Sequence, residues 1–307
     1  MPLHRLTSLT LGVPDPAATA DFFRAFGLTE TSPGRLSTRD GGEQVHLERS
    51  GRRRLLSLGV GAHDTDDLDR LAARVRSFDD SLVVEHVAGD AGHLTVREPV
   101  TGVPVVVTVA PTLSSEVPPS AVNAPSAVGR HDRPADAVLT PEPVRPSNLT
   151  HVVYGTPDQA ATLRFFTQAL GFEISDQLPG IIAFTRCGEV HHNVAVQAAP
   201  VAFVHHIAFE VDSVDDVVRG GSALVEADPD RQVWGVGRHA IGSNWFWYLR
   251  EPAGTFVEYT ADIDRISAQD LYRPKEWAGQ EFLYSFGPQP PMEFLEPRDM
   301  AELIAEP

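Results

Sequence analysis

Cysteine is nearly absent from the chain. Cys187 stands alone among 307 residues, which excludes an intrachain disulfide and fits a reducing compartment. No apolar run approaches the length needed to cross a bilayer, and the opening MPLHRLTSLTLGVPDP lacks a long apolar core. Positive charge is also short: 25 Lys and Arg face 42 Asp and Glu, a formal net charge of −17. That balance repels polyanions, so neither nucleic acid nor membrane is expected as a partner. What remains is ordinary for a folded chain, with 42% hydrophobic and 22% charged residues and length enough for two domains or one large one with a substantial core. The expectation is a cytoplasmic protein.

The chain repeats itself. LTSLTLGVPDPAATADFF (6–23) lies over LTHVVYGTPDQAATLRFF (149–166) with ten of 18 positions identical, too many in an ungapped window for coincidence. Each copy reads as strand, turn and helix. Asp15 and Asp158 stand at the N-cap positions, and Pro16 takes the first helical position of the earlier copy. In the later helix Leu163, Phe166 and Leu170 predict the apolar face and Gly171 the stop. A second pair follows, LLSLGVGAHDTDDLDRLAARV (55–75) against VHHIAFEVDSVDDVVRGGSAL (204–224), again strand, cap and helix. Each half then runs through alternating strands to a hairpin marked REP. Four strand–helix–strands modules result, two per half. Residues 111–147 hold eight of the 25 prolines and read as an extended connector. The predicted division is 1–110, the connector 111–147, a second domain 148–265, and a tail 266–307 too aromatic to be disordered, packed on that second domain.

The two halves differ in one direction. Ser8 lies opposite His151, Ser57 opposite His206, and Val106 opposite Glu258. The later half carries a possible metal ligand wherever the earlier one carries serine or valine. Two histidines and a carboxylate form the facial set that holds non-haem Fe(II) and leaves positions open. A cation also answers why a glutamate is tolerated in a strand that reads as buried. A single strand histidine is more often packed than ligating, but the three positions agree in parity. His151 shares a face with Leu149 and Val153, His206 with Ala208, and Glu258 with Phe256, Phe246 and Tyr248 across the hairpin.

On these residues the chain resembles the vicinal oxygen chelate superfamily and, within it, the two-domain type I extradiol ring-cleaving dioxygenases, related to catechol 2,3-dioxygenase. The resemblance covers about residues 4–265 and is most specific over 148–262. It implies an α+β fold of four βαβββ modules paired into two similar domains. The first domain would lack a metal site, and the second would bind Fe(II), with Mn(II) as the lesser option, through His151, His206 and Glu258. HHNVAV implies His192 as catalytic acid–base, with His191 structural. GRHAIG implies His239 beside the substrate or oxygen, and FWYLREPAG implies the same for Tyr248. Of the pair His205–His206, strand parity selects His206 for the pocket. His46, at a similar place in the first half, reads as a remnant, and Cys187, Trp245 and Trp247 as packing.

The implied chemistry is cleavage of a catechol ring next to the diol, with O2 as co-substrate, by an enzyme that works as a homo-oligomer. Metal binding lowers the pKa of the diol, and His192 moves a proton. Which of His239 and Tyr248 takes the second diol proton stays open. So do three other readings: a glyoxalase-like isomerase or lyase, a drug-sequestering protein of the same fold, and a 4-hydroxyphenylpyruvate-type dioxygenase. Val153, Ala208, Phe246 and Phe256 are expected to line the cup and to favour neutral, apolar-substituted catechols, unless Arg186, Arg238 or Arg250 enters it.

Overall fold

The computed structural model describes residues 2–87, 92–114, 120–140, 142–279, 281 and 283–305. The parts of the predicted first domain at 1 and 88–91, of the connector at 115–119 and 141, and of the tail at 280, 282, 306 and 307 lie outside the described residues.

Four βαβββ modules follow one another. The first is β1 (Leu3–Val13), α1 (Pro16–Ala25), β2 (Thr29–Ser32), β3 (Arg35–Ser37) and β4 (Val45–Arg49); the second is β5 (Arg54–Ala62), α2 (Thr65–Phe78), β6 (Val84–Val87), β7 (His93–Arg97) and β8 (Pro104–Val109). Their strands form one sheet in the order β2-β3-β4-β1-β5-β8-β7-β6. The connector carries a two-residue hairpin, β9 (Asn123–Ala124) and β10 (Ala127–Val128), and a short helix, α3 (Asp136–Leu139). The third module is β11 (Asn148–Thr156), α4 (Gln159–Arg164), β12 (Glu173–Leu178), β13 (Ile182–Arg186) and β14 (Val194–Ala198). The fourth is β15 (Phe203–Glu210), α5 (Val214–Ala227), β16 (Gln232–Arg238), β17 (Trp245–Arg250) and β18 (Phe256–Ala261). The second sheet runs β16-β17-β18-β15-β11-β14-β13-β12 and ends on β19 (Lys275–Glu276) from the tail. Short helices α6 (Met292–Leu295) and α7 (Met300–Ala305) close the chain. No helix among the described residues is long and apolar enough to cross a membrane.

The predicted caps form. Asp15 accepts the amides of Ala17 and Ala18 at 3.1 Å each, and Asp158 that of Ala161 at 2.9 Å. The later helix departs from the predicted face. After Arg164 it continues as a π-helical turn, Phe165–Ala169, whose extra residue rotates the apolar stripe onto Phe165, Phe166, Ala169 and Leu170. Leu163 is left half-buried at its margin.

The halves share one core and exchange covering contacts. Phe26 of the first half stacks on Tyr259 of β18 at 3.8 Å, and the Tyr259 hydroxyl donates to the Phe26 carbonyl at 2.6 Å. Phe23 meets Phe209 of β15 edge-on. In the other direction Arg74 of α2 donates to the carbonyls of Thr167 and Gln168. The REP turns are part of this exchange. Glu98 accepts the amides of Val100 and Thr101 in its own turn and the hydroxyl of Thr162 from the other half. Glu251 likewise accepts from Ala253 and Thr255 in its turn and from Thr19 across the molecule. Both carboxylates are buried but satisfied.

Two adjacent glycines in α5, Gly220 and Gly221, are costly in a helix interior. They let the helix lie directly on the rings of Tyr259 and Trp247: a Cβ on Gly221 would sit 2.3 Å from Trp247 Cδ2. That contact seats β17 and β18, the strands that carry Tyr248 and Glu258. Gly221→Ala should therefore destabilise the protein by about 1–2 kcal/mol through overpacking, although helix propensity alone would favour alanine by up to about 1 kcal/mol. Denaturant unfolding of the two proteins reads the sign.

Candidate metal centre

Register explains how residues more than 50 positions apart meet. β11 runs antiparallel to β15 with His151 opposite Ala208, and β15 runs parallel to β18 with Ala208 opposite Glu258. His151, Ala208 and Glu258 thus form one row over three adjacent strands. The small side chain of Ala208 lets its two neighbours converge above it, and His206 lies two residues back on the same strand. The first half repeats the row as Ser8–Gly59–Val106, so the aligned positions are equivalent in space as well as in sequence.

The three side chains converge. His151 Nε2 is 3.2 Å and His206 Nε2 3.5 Å from Glu258 Oε2, and the two Nε2 atoms are 3.3 Å apart. One donor atom from each residue fits within 4.8 Å of the others. Glu258 is fully buried. Its Oε1 accepts a hydrogen bond from Asn244 at 3.0 Å, while Oε2 accepts none from the described residues. A buried carboxylate oxygen without a donor, facing two imidazole nitrogens, is a costly arrangement. A divalent cation between the three resolves it, and the donor set of two imidazoles and one carboxylate suits such an ion. Burial, followed by the neighbouring His205, holds the His206 pKa well below its ordinary value, so the ring is neutral and its lone pair available near neutral pH.

The other predicted residues surround this cluster. The ring of His192 lies 4.1 Å from that of His151. Burial, then the nearby histidines, pushes its pKa well down. Tyr248 stands opposite Glu258 in the β17–β18 pairing. Its hydroxyl is 2.8 Å from Nε2 of His239, whose Nδ1 meets the Leu283 carbonyl at 2.5 Å. A carbonyl only accepts, so His239 donates from Nδ1 and Tyr248 donates to its Nε2. Burial and the Glu258 charge raise the Tyr248 pKa, and burial lowers that of His239. His191 points away from the cavity: its Nε2 faces Asp176 at 3.6 Å and the Tyr272 hydroxyl at 3.5 Å.

Two expectations need correction. Strand parity was to send His205 away from the pocket, yet both His205 and His206 line it. The β11–β15 register steps from Val153↔His206 to Tyr154↔Val204, leaving His205 as the extra residue of a β-bulge, which turns neighbouring side chains toward one face. The cavity wall also differs from the predicted one. Of the four expected residues only Val153 lines it; Ile181, Ile182, Phe184, Ile241, Leu283, Phe294 and Leu295 make the rest of the apolar surface around about 150 Å³. Phe246 stacks behind His239, Phe256 packs against His205 and Phe294, and Ala208 lies under the ligand row. None of the three arginines enters. Arg186 pairs with Glu173, Arg238 with Asp262 and Arg250 with Glu293.

Asn244 escaped the sequence reading. It is fully buried and bridges Glu258 and Thr260, and a lone Asn after a Gly-Ser turn carries no signal of that role. His46 is half-buried on β4 near Glu43. Cys187 is buried in the core, its thiol pKa raised by burial. Trp247 packs on α5, and Trp245 lies beneath Arg238.

Comparison with known proteins fits this geometry. Residues 148–259 match the Glyoxalase/Bleomycin resistance protein/Dioxygenase superfamily. Metapyrocatechase 2 of Cupriavidus necator is 32% identical over 300 residues, covering 95% of this chain and 92% of the relative. Among solved structures, a halotolerant catechol dioxygenase superposes with a TM-score of 0.74 at 18% identity, over 94% of this chain and 95% of the other. An Mn(II)-bound glyoxalase from Novosphingobium aromaticivorans does so with 0.73 at 23%, over 93% and 91%. These structures share the fold.

Glu258→Gln removes the buried charge and keeps the shape. It should abolish stoichiometric iron uptake, while Val106→Ala at the equivalent position should leave uptake unchanged. Elemental analysis after anaerobic loading reads both. In the metal-free protein the same Glu258→Gln should be neutral or stabilising by about 1–3 kcal/mol, since it relieves an unpaired buried carboxylate; urea unfolding of the two apoproteins measures it.

Proposed function

Because the chain belongs to the extradiol dioxygenases of the glyoxalase/bleomycin resistance protein/dioxygenase superfamily, we propose that it opens a neutral, apolar-substituted catechol next to the diol, using O2 at a divalent iron held by His151, His206 and Glu258. The observation that carries this reading is the orphaned Glu258 Oε2 facing two imidazole Nε2 atoms at the closed end of an apolar cavity. The two-histidine, one-carboxylate set favours iron over manganese. A bound iron supplies polarisation of the diol and a path for electrons between ring and dioxygen.

The remaining steps belong to side chains. His192 Nδ1 lies 3.1 Å from Nδ1 of His191, and in this reading His192 carries the hydrogen between them. Its bare Nε2 is left for the cavity. There it accepts a proton from the bound diol and returns it during O–O cleavage. Its depressed pKa keeps it neutral until that transfer. Tyr248 remains protonated and donates to His239, itself fixed by the Leu283 carbonyl, which leaves the phenol oxygen to accept from a hydroxyl of the diol and orient it. The apolar walls exclude water and take up the ring and its substituent.

His192→Gln should retain iron and still bind catechol, yet turn over about two to four orders of magnitude more slowly. Turnover within a few-fold of the parent would move the role to another group. For the substrate, kcat/KM should be higher for alkyl- and aryl-substituted catechols than for protocatechuate or homoprotocatechuate. Burying about 60 Å² of alkyl surface is worth about 1.5 kcal/mol, whereas a second carboxylate would meet no lysine or arginine among the described lining residues. Steady-state kinetics on the panel decide it, and a preference for acidic catechols would refute the assignment of a neutral substrate.

A further inference from the structure

We propose that His205 is a positioning residue that fixes the tautomer of His206, and that the Phe294 carbonyl in the C-terminal segment in turn fixes His205. This rests on the reading of His206 as a ligand.

The chain of reasoning runs through hydrogen positions. A neutral imidazole that ligates through Nε2 carries its hydrogen on Nδ1. His206 Nδ1 is 2.8 Å from His205 Nδ1, so His206 is the donor and His205 Nδ1 must be bare. The hydrogen of His205 then sits on Nε2, which lies 2.6 Å from the Phe294 carbonyl, a group that can only accept. The three groups permit one consistent arrangement: Phe294 O accepts from His205, and His205 accepts from His206. That arrangement leaves the His206 Nε2 lone pair directed at Glu258.

Three further observations single His205 out. The β-bulge at His205 brings both rings to one face, which a regular strand would forbid. His151, by contrast, has no partner for its Nδ1 among the described residues, so of the two ligand histidines only His206 has its tautomer set by a described group. The first half keeps the bulge, with its register stepping from Thr10↔Ser57 to Leu11↔Leu55. There Leu56 and Ser57 occupy the two positions, so the supporting histidine is missing together with the ligand. In that half the chain leads into the connector, where the second half continues into the segment bearing Phe294.

The test pairs metal binding with direct observation of the tautomers. Long-range 1H–15N spectra of metal-free, 15N-histidine-labelled protein should show His206 protonated at Nδ1 and His205 at Nε2. A wild-type His206 protonated at Nε2 overturns the proposal without any variant. Anaerobic competition between the protein and a chromogenic chelator for Fe(II) then compares His206→Ala, His205→Phe and His205→Gln with the parent. His205→Phe, which fills the space but neither accepts nor donates, should weaken Fe(II) binding about 10- to 100-fold. His205→Gln can accept from His206 and donate to Phe294, and should restore binding to within a few-fold. If His206→Ala binds Fe(II) like the parent, the ligand assignment itself is wrong. If His206→Ala loses Fe(II) while His205→Phe binds like the parent, the ligand stands and the positioning role falls. Should His205→Phe not fold, the wild-type tautomers and the His205→Gln affinity still decide.

Discussion

A carboxylate held out of water with one oxygen unanswered is the constraint around which the second half is arranged. Glu258 has no exposed surface and accepts one hydrogen bond, from Asn244. Removing such a group from water costs several kcal/mol, which the surrounding fold must absorb when no ion is bound. It does so by rigid support on every side. Glu258 stands on a strand between β15 and β17. Behind that strand Tyr259 is clamped between Phe26 and the glycines of α5. A looser setting would let the carboxylate turn toward solvent and lose its geometry; packing at interior density prevents that.

The same scaffold without the charge shows what the first half became. Its equivalent row, Ser8–Gly59–Val106, has no titrating group, and Ser57 forms a 2.8 Å hydroxyl bond to Thr10. The first half is nonetheless built into the site. Phe23 and Phe26 cover the backs of β15 and β18, the strands bearing His206 and Glu258, and the Thr19–Glu251 bond ties α1 to the turn that joins β17 to β18. The reciprocal Thr162–Glu98 bond makes the dependence mutual. Duplication supplied a matched partner surface, and that use survives where the ligands are gone.

Much of this was legible because repetition compares the chain with itself. The ten identities in 18 residues exposed the modules, and differences inside a shared register exposed His151, His206 and Glu258. Where the repeat offers no comparison the reading weakened. The cavity walls come from Ile181, Ile182, Phe184, Leu283 and Leu295, on a hairpin and a tail whose direction toward the site depends on sheet curvature and crossing chain, neither encoded in local periodicity. The π turn and the β-bulge each insert one residue into a regular element, and one residue is enough to overturn a parity argument. For this reason strand alternation alone directs His205 away from the cavity, whereas in the fold it faces it. The REP turns were recognised as hairpins, but their glutamates bond across the molecule, a long-range partner that no local pattern announces.

The cavity has a polarity gradient that orients whatever enters. At its closed end stand five imidazoles, a phenol and the carboxylate beneath them; at its mouth Ile181 and Leu295 are 54% and 49% exposed. Large aliphatic side chains at a rim are left in water at a cost of about 25 cal/mol per Å² of apolar area, which a bound hydrophobic substituent recovers. A diol seeks the polar end because only there are hydrogen-bond and ligand partners available, and an apolar substituent seeks the rim because only there does burial release water. The two preferences act along one axis and in the same sense, so orientation needs no charged anchor. Phe294 and Leu283 sit on this wall and also offer their backbone carbonyls to His205 and His239. The segment that shapes the binding surface therefore also holds two of the ring orientations at the polar end, and any displacement of it alters recognition and chemistry together.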